Sequence, residues 1–110
     1  MRRNKYNARK TLVDGIYFDS IAESHRYIDL KFLQKAGEIK SLETQVPFLF
    51  TLNGKKIFKY YADFTYTTKE GIYKIEDVKG MKTAIYRLKK KLIEAQSNIV
   101  ITEISGRGRS

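Results

Sequence analysis

The chain contains no cysteine in its 110 residues. That excludes disulfides and the thiolate-rich structural zinc sites. It has one histidine, His25, so a zinc site of any kind is short of nitrogen ligands. No apolar run approaches the roughly 20 residues that a membrane-spanning helix needs. The Arg/Lys-rich start is not followed by an apolar stretch, which argues against a secretory signal. The one proline, Pro47, falls inside an extended run and is expected to interrupt or bend it. Acidic residues are missing from two long stretches. Met1 to Lys10 carries Arg2, Arg3, Lys5, Arg9 and Lys10 with no acid, and Lys82 to Lys91 carries Lys82, Arg87, Lys89, Lys90 and Lys91 with none.

What is present is a globular composition, 42% hydrophobic and 13% aromatic, with a net charge of +10. A chain of this length is expected to form one domain over 1–110, with a basic arm over 1–10 and a mobile basic tail over 105–110. It is long enough to bury roughly two-thirds of its unfolded surface without covalent staples. The basic blocks have two readings. They are either a solvated, solubility-giving surface or the phosphate-attracting surface of a nucleic-acid binder, and three separate blocks in so short a chain favour the second. Arg2, Arg3, Lys5, Arg9, Lys10, Lys82, Arg87, Lys89 and Lys90 are the candidate phosphate contacts. A membrane surface is disfavoured because no block is expected on a helix with a large exposed apolar face.

Along the chain, Thr11 to Phe18 reads as extended around an Asp14-Gly15 turn. Ser20 is a good N-cap with Glu23 three residues on, as in a capping box. Ile21, Ile28, Phe32 and Leu33 then recur at near-helical spacing up to a stop at Gly37. Ile39 to Leu52 reads as a strand, and Asn53-Gly54 turns it into a second strand from Lys56 to Tyr66. Thr67 to Gly71 is the next turn and Ile72 to Lys79 the next strand. Ile85, Leu88, Leu92 and Ala95 fall at helical intervals between Lys82 and Ser97 as a core stripe, with Arg and Lys on the other face. A final strand, Asn98 to Ile104, follows a crossover helix and should lie parallel to the strand of Asp77. The expected fold class is α/β, a mixed β-sheet flanked by helices.

The Asp63 and Asp77 strands form a hairpin. Alternation projects Asp77 and Lys79 to one side, and the hairpin can bring Asp63 beside them. Two carboxylates and a lysine so placed can hold a divalent metal and position a water, and in so basic a protein the obvious anionic substrate is a nucleic acid. An aspartate amid a Tyr/Phe-rich strand is unfavourable without a reason of this kind. The alternatives are ordinary ones. Asp77 and Lys79 could be a structural ion pair, and Glu23 could serve the capping box alone.

Asp63, the Asp77-Val78-Lys79 triplet, the upstream Glu23 and the order of elements together resemble the PD-(D/E)xK nuclease superfamily, with its restriction-endonuclease-like core. The whole chain resembles its small phage-type Holliday junction resolvases, through Lys5-Tyr6-Asn7-Ala8, the Val13 to Ser20 approach to the helix, Tyr61-Ala62-Asp63-Phe64 and Glu76-Asp77-Val78-Lys79-Gly80. Ala62 replaces the proline of the superfamily name, and Asp77 is a shorter arm than the usual glutamate.

The resemblance implies that Asp63, Asp77 and the Val78 carbonyl hold Mg²⁺ or Mn²⁺. Glu23 would complete the site, and Lys79 would orient the attacking water. Glu76 should face away from Lys79 and pair with a basic residue. Gln45 resembles polar residues that line some related sites but reads as structural, and His25 reads as a surface or semi-buried residue. The implied activity is a metal-dependent, structure-selective DNA endonuclease, a Holliday junction resolvase acting on branched double-stranded DNA as a homodimer in the cytoplasm, the bacterial host's if phage-encoded. Another branched-DNA or nicking endonuclease of the superfamily, and a non-catalytic basic DNA-binding protein, remain the rival readings.

Overall fold

The structure, a computed structural model, describes residues 10–106. The candidate phosphate contacts Arg2, Arg3, Lys5 and Arg9 lie outside that span. Among the described residues no helix is long and apolar enough to cross a membrane. The elements are β1 (Thr11–Val13), β2 (Ile16–Phe18), α1 (Ile21–Lys35), β3 (Ile39–Leu52), β4 (Lys55–Thr68), β5 (Tyr73–Lys79), α2 (Ala84–Ser97) and β6 (Ile101–Ser105). The short β1–β2 hairpin stands apart from a four-stranded sheet in the order β3-β4-β5-β6. That sheet is mixed, with β3, β4 and β5 antiparallel and β6 parallel to β5. The fold is therefore mixed α/β with two flanking helices, as the element order requires once α2 is a crossover.

Local chemistry sets these boundaries. Both residues of Asp14-Gly15 and of Asn53-Gly54 have positive φ, the conformation of the two-residue turns whose twist matches that of the strands they join. Ser20 accepts a hydrogen bond from the Glu23 N–H at 3.0 Å, and Thr83 accepts one from the Tyr86 N–H at 3.1 Å, so each helix starts on a capped turn. Asn98, in the left-handed region at φ 54, ends α2, and β6 therefore begins at Ile101, later than the residue pattern indicates. Pro47 does not break β3. It pairs with Tyr61 inside the ladder, which is tolerated because β3 is an edge strand. The register shifts fall instead between Lys40 and Glu43, where Ser41 has φ 58, and between Phe50 and Thr51, while Gln45 has φ 51 within a continuous register.

Two cores lie beneath the two helices. Phe18, Tyr27, Leu30, Ile39, Phe64 and Tyr66 pack under α1, and Tyr60, Ala62, Ile75, Ile93 and Ile101 under α2. Strand alternation turns Ile75 and Asp77 towards α2, and Glu76 and Val78 towards α1.

The helix faces differ from the expected stripes. On α1 the buried side is Glu23, Ser24, Tyr27 and Leu30, while Ile21, Ile28 and Phe32 are exposed, Phe32 at 72%. On α2 the buried residue is Ile93, with Tyr86 half-buried, while Ile85, Leu88 and Ala95 are exposed. Each helix is rotated so that the expected apolar row is largely exposed, and Glu23, Tyr27 and Leu30 on α1 and Tyr86 and Ile93 on α2 face inward instead. The basic block on α2 thus does share its helix with an exposed apolar row, contrary to expectation.

Of the expected tail over 105–110, residues 107–110 lie outside the described span. Ser105 belongs to β6, and the Gly106 N–H donates to the Lys79 carbonyl at 2.9 Å. A Cβ at Gly106 would lie 2.6 Å from the Gly80 nitrogen, so only glycine allows that approach.

Candidate active site

The β4–β5 ladder runs from Thr67↔Tyr73 to Phe64↔Glu76 and stops there. One more step would set Asp63 opposite Asp77. At that step side chains replace the ladder: the Asp63 N–H donates to Asp77 Oδ1 at 3.0 Å, and the Val78 N–H donates to Asp63 Oδ2 at 2.8 Å. Each aspartate thereby satisfies a backbone donor of the opposite pair of residues and is fixed in direction. The remaining oxygens are also held. Asp77 Oδ2 accepts from the Tyr60 hydroxyl, and Asp63 Oδ1 accepts from Gln45 Nε2 at 3.2 Å. Glu23 reaches the same place from α1, its Oε2 accepting from the same Gln45 nitrogen at 3.2 Å. Its carboxylate thus turns into the site even though its backbone takes part in the cap.

All three carboxylates are buried, Asp77 with only 1% of its surface exposed. Burial pushes the Glu23 carboxyl up to about 7, with the charge of Asp63 adding to the rise. Burial likewise pushes Asp77 up to about 6, against the opposing pull of the Asp63 N–H and of Lys79. Asp63 is raised by the same cause in spite of its bond from Val78. Three acids whose charged forms are disfavoured by burial lie near one site lysine. That is the electrostatic signature of a site short of positive charge.

Lys79 leaves β5 one alternation beyond Asp77, and its ammonium lies 4.9 Å from the centroid of the Tyr86 ring. That cation–π contact, with Tyr60 and Tyr86 stacked at 6.3 Å, sets an aromatic floor under the lysine. Tyr86 is fixed in turn by donating to Glu103 at 2.9 Å, and burial raises its hydroxyl pKa strongly. Lys82 pairs with Glu103 at 3.2 Å. Burial alone would raise the Glu103 pKa, but the bonds from Tyr86 and Lys82 outweigh it, and the group stays ionised below the ordinary glutamate range.

Glu76 faces the other way, as alternation requires. It takes a bidentate bond from Arg26 at 2.8 and 2.7 Å and a further bond from the Tyr66 hydroxyl. Burial and that carboxylate push the Tyr66 hydroxyl up to about 12. Arg26 lies three residues after Glu23 on α1, so this clamp ties the helix to β5 beside the site. Sequence reasoning gave Glu76 a basic partner without identifying it. It leaves out of the site Gln45, which reads as structural, and Tyr86, for which facing the site or packing stays open, and it misses Tyr60 because an aromatic in a sheet carries no spacing signal of its own.

The donor set suits a hard divalent cation, being buried carboxylate oxygen with a nearby amide and no soft ligand. Among the described residues, however, no group of three His, Cys, Asp or Glu side chains is placed to hold a metal ion by itself. Glu23 and Asp63 are separated by the Gln45 amide, so other oxygen donors must contribute.

Next to the site, a cavity of about 570 Å³ is lined by Lys82, Arg87, Leu88, Lys90, Lys91, Glu94 and Glu103. A second, of about 340 Å³, joins Lys79 to Lys82, Glu103 and Ser105. Of the candidate phosphate contacts, Lys82 thus lines both cavities, beside Lys79 in the smaller one, and Arg87 and Lys90 line the larger one together with Lys91. Lys90 is paired with Glu94 at 3.2 Å. Lys89 instead lies over the Phe58 ring at 5.3 Å, and Lys10 pairs with Asp19 at 3.5 Å. His25 is exposed.

Fold and site together define a mixed α/β domain with an acid–lysine cluster where two strands part. The chain belongs to the family described as "Protein of unknown function (DUF1064)", whose model matches residues 3–107. No curated protein and no solved structure matches it.

Proposed function

We propose that the protein is a metal-dependent DNA endonuclease of the PD-(D/E)xK type that cuts branched duplex DNA, with a four-way Holliday junction as substrate. The observation that carries this reading is the pair of bonds at the split of β4 and β5, from the Asp63 N–H to the Asp77 carboxylate and from the Val78 N–H to the Asp63 carboxylate, with Lys79 one alternation beyond Asp77. A purely structural ion pair would bring Lys79 onto a carboxylate and leave no excess of buried acid. Here the lysine rests on Tyr86, and the acids exceed the cations around them.

Asp63, Asp77 and Glu23 would hold Mg²⁺ or Mn²⁺, with the Val78 carbonyl as a further oxygen. When bound, the ion supplies Lewis-acid chemistry, making an attacking water more acidic and neutralising charge on the phosphate. The residues divide the remaining work. Tyr60 and the Asp63 N–H fix the Asp77 carboxylate in direction. Lys79, held over Tyr86, would offer ammonium hydrogens to the phosphate oxygens as the water oxygen bonds to phosphorus and the bridging P–O bond breaks, the proton released by the water passing through solvent to the departing oxygen. Lys82, Arg87, Lys90 and Lys91 line the neighbouring cavity and supply the sequence-independent attraction for the backbone. Resolution of a four-way junction needs two symmetry-related cuts, which two copies about a twofold axis provide.

The test is cleavage of a labelled four-way junction beside a matched linear duplex, fork and flap, with Mg²⁺ or EDTA. Metal-dependent cutting confined to branched substrates supports the reading. Cutting of the fork or flap in preference to the junction moves the substrate within the same class of enzyme.

A further inference from the structure

Gln45 occupies a position that a passive strand residue does not need. Its backbone is in the left-handed region at φ 51, between the pairs Thr44↔Phe64 and Val46↔Ala62. That conformation costs a residue with a Cβ about 1 kcal/mol or more. The result is that its side chain reaches between α1 and β4. There one nitrogen, Nε2, lies 3.2 Å from Glu23 Oε2 and 3.2 Å from Asp63 Oδ1. Both hydrogens of the amide are spent on two buried acids that repel one another.

A donor is what those acids require while no cation lies between them. A hard oxygen is what a divalent cation would require in the same place. Lysine or arginine could serve only the first need. A carboxamide serves both, because Nε2 and Oε1 are two ends of one planar group and exchange places by rotation about the last side-chain bond.

We propose that Gln45 is a working member of the site, cross-linking Glu23 and Asp63 in the metal-free protein and giving its Oε1 oxygen to the divalent ion, or to one of that ion's waters, in the loaded one. This deepens the reading of the site as a divalent-cation centre and rests on it. It also answers the shortage of ligands, since among the described residues no group of three His, Cys, Asp or Glu side chains is placed to hold an ion alone.

The experiment is a titration of the purified protein with Mn²⁺, following the free-ion signal by electron paramagnetic resonance, for the natural chain, Gln45→Leu and Gln45→Glu. Circular dichroism establishes that each variant is folded. The expected result is that Gln45→Leu weakens Mn²⁺ binding at least tenfold. Gln45→Glu, which keeps the oxygen and loses the donor, should bind as tightly or more tightly at pH 8 while melting at a lower temperature when metal-free. If Gln45→Leu binds as well as the natural chain or better, the amide merely competes with the ion and the proposal falls, with the cation site intact. Should the leucine variant not fold, weakened binding by Gln45→Glu overturns the proposal equally. If the natural chain binds no Mn²⁺, the reading of the site falls and the role of Gln45 falls with it.

Discussion

The Asp63 N–H donates to the Asp77 carboxylate at 3.0 Å, at the step where the β4–β5 ladder would otherwise have continued. Two like charges are thereby held side by side in a buried place. Their arrangement is unfavourable for a metal-free protein and favourable for one that takes a cation.

Stability without metal should therefore fall as pH rises. Glu23, held at about 7 in the fold against an ordinary 4.5, and Asp77, at about 6 against 3.8, bind protons more tightly folded than unfolded. Their favourable contribution is complete below the unfolded values and is lost as pH climbs through about 6 and 7. For Glu23 alone that is on the order of 2–3 kcal/mol. Thermal melts in EDTA should give a midpoint at least ~5 °C lower at pH 8 than at pH 5. Glu23→Gln should flatten that slope, and Mn²⁺ at pH 8 should restore the lost stability. A midpoint that does not fall between pH 5 and 8, or a slope unchanged by Glu23→Gln, would contradict this.

Asp77→Asn should behave unlike most changes at a buried polar residue. The amide keeps an acceptor for the Asp63 N–H and removes one of the crowded charges. The metal-free protein should be as stable as the natural chain or up to ~2 kcal/mol more stable at pH 8, while cutting falls by at least ~10³ and junction binding is kept or tightened. Urea unfolding and a gel-shift titration read the two effects separately.

The pairs on the two sides of β5 should respond oppositely. Arg26→Met strips a bidentate partner from Glu76, which is 2% exposed, and leaves it with the Tyr66 hydroxyl. The expected cost is about 3–5 kcal/mol. Adding Glu76→Gln should recover more than half of it, since no charge then remains buried. A loss under ~1 kcal/mol for Arg26→Met would mean that the clamp does not tie α1 to the sheet.

DNA affinity should depend unequally on the basic residues. Lys82 and Lys90 already have carboxylate partners, whereas Arg87 and Lys91 line the same cavity without an ion pair among the described residues. Arg87→Ala and Lys91→Ala should each weaken binding and lower the slope of log affinity against log salt by about 0.9. Lys90→Ala should do less, because its charge is partly answered by Glu94. Equal effects at all three positions would count against this ordering.

Much of this was legible in the residues. The Asn53-Gly54 turn, the Ser20 cap and the crossover before β6 are local signals with local causes, and the structure has each of them. Asp63 and Asp77 could be paired from the hairpin alone. The helix faces could not be read, because the apolar rows Ile21-Ile28-Phe32 and Ile85-Leu88 are turned outward, and Glu23, Tyr27, Tyr86 and Ile93 inward. Hydrophobic periodicity locates a core face only when the core is what that face meets. Here part of each helix meets the carboxylate site instead. Gln45 is visible as a residue of a kind that lines related sites but reads as structural, since its reach depends on a left-handed backbone in mid-strand that period-two alternation cannot express.

The most direct measurement is incubation of the purified protein with a labelled four-way DNA junction and a matched linear duplex, in Mg²⁺ or in EDTA, beside Asp77→Asn. The predicted result is paired cuts at the junction that need the metal and vanish in the variant. Tight binding with no cut in Mg²⁺ or Mn²⁺ would contradict the account and leave a non-catalytic DNA-binding protein.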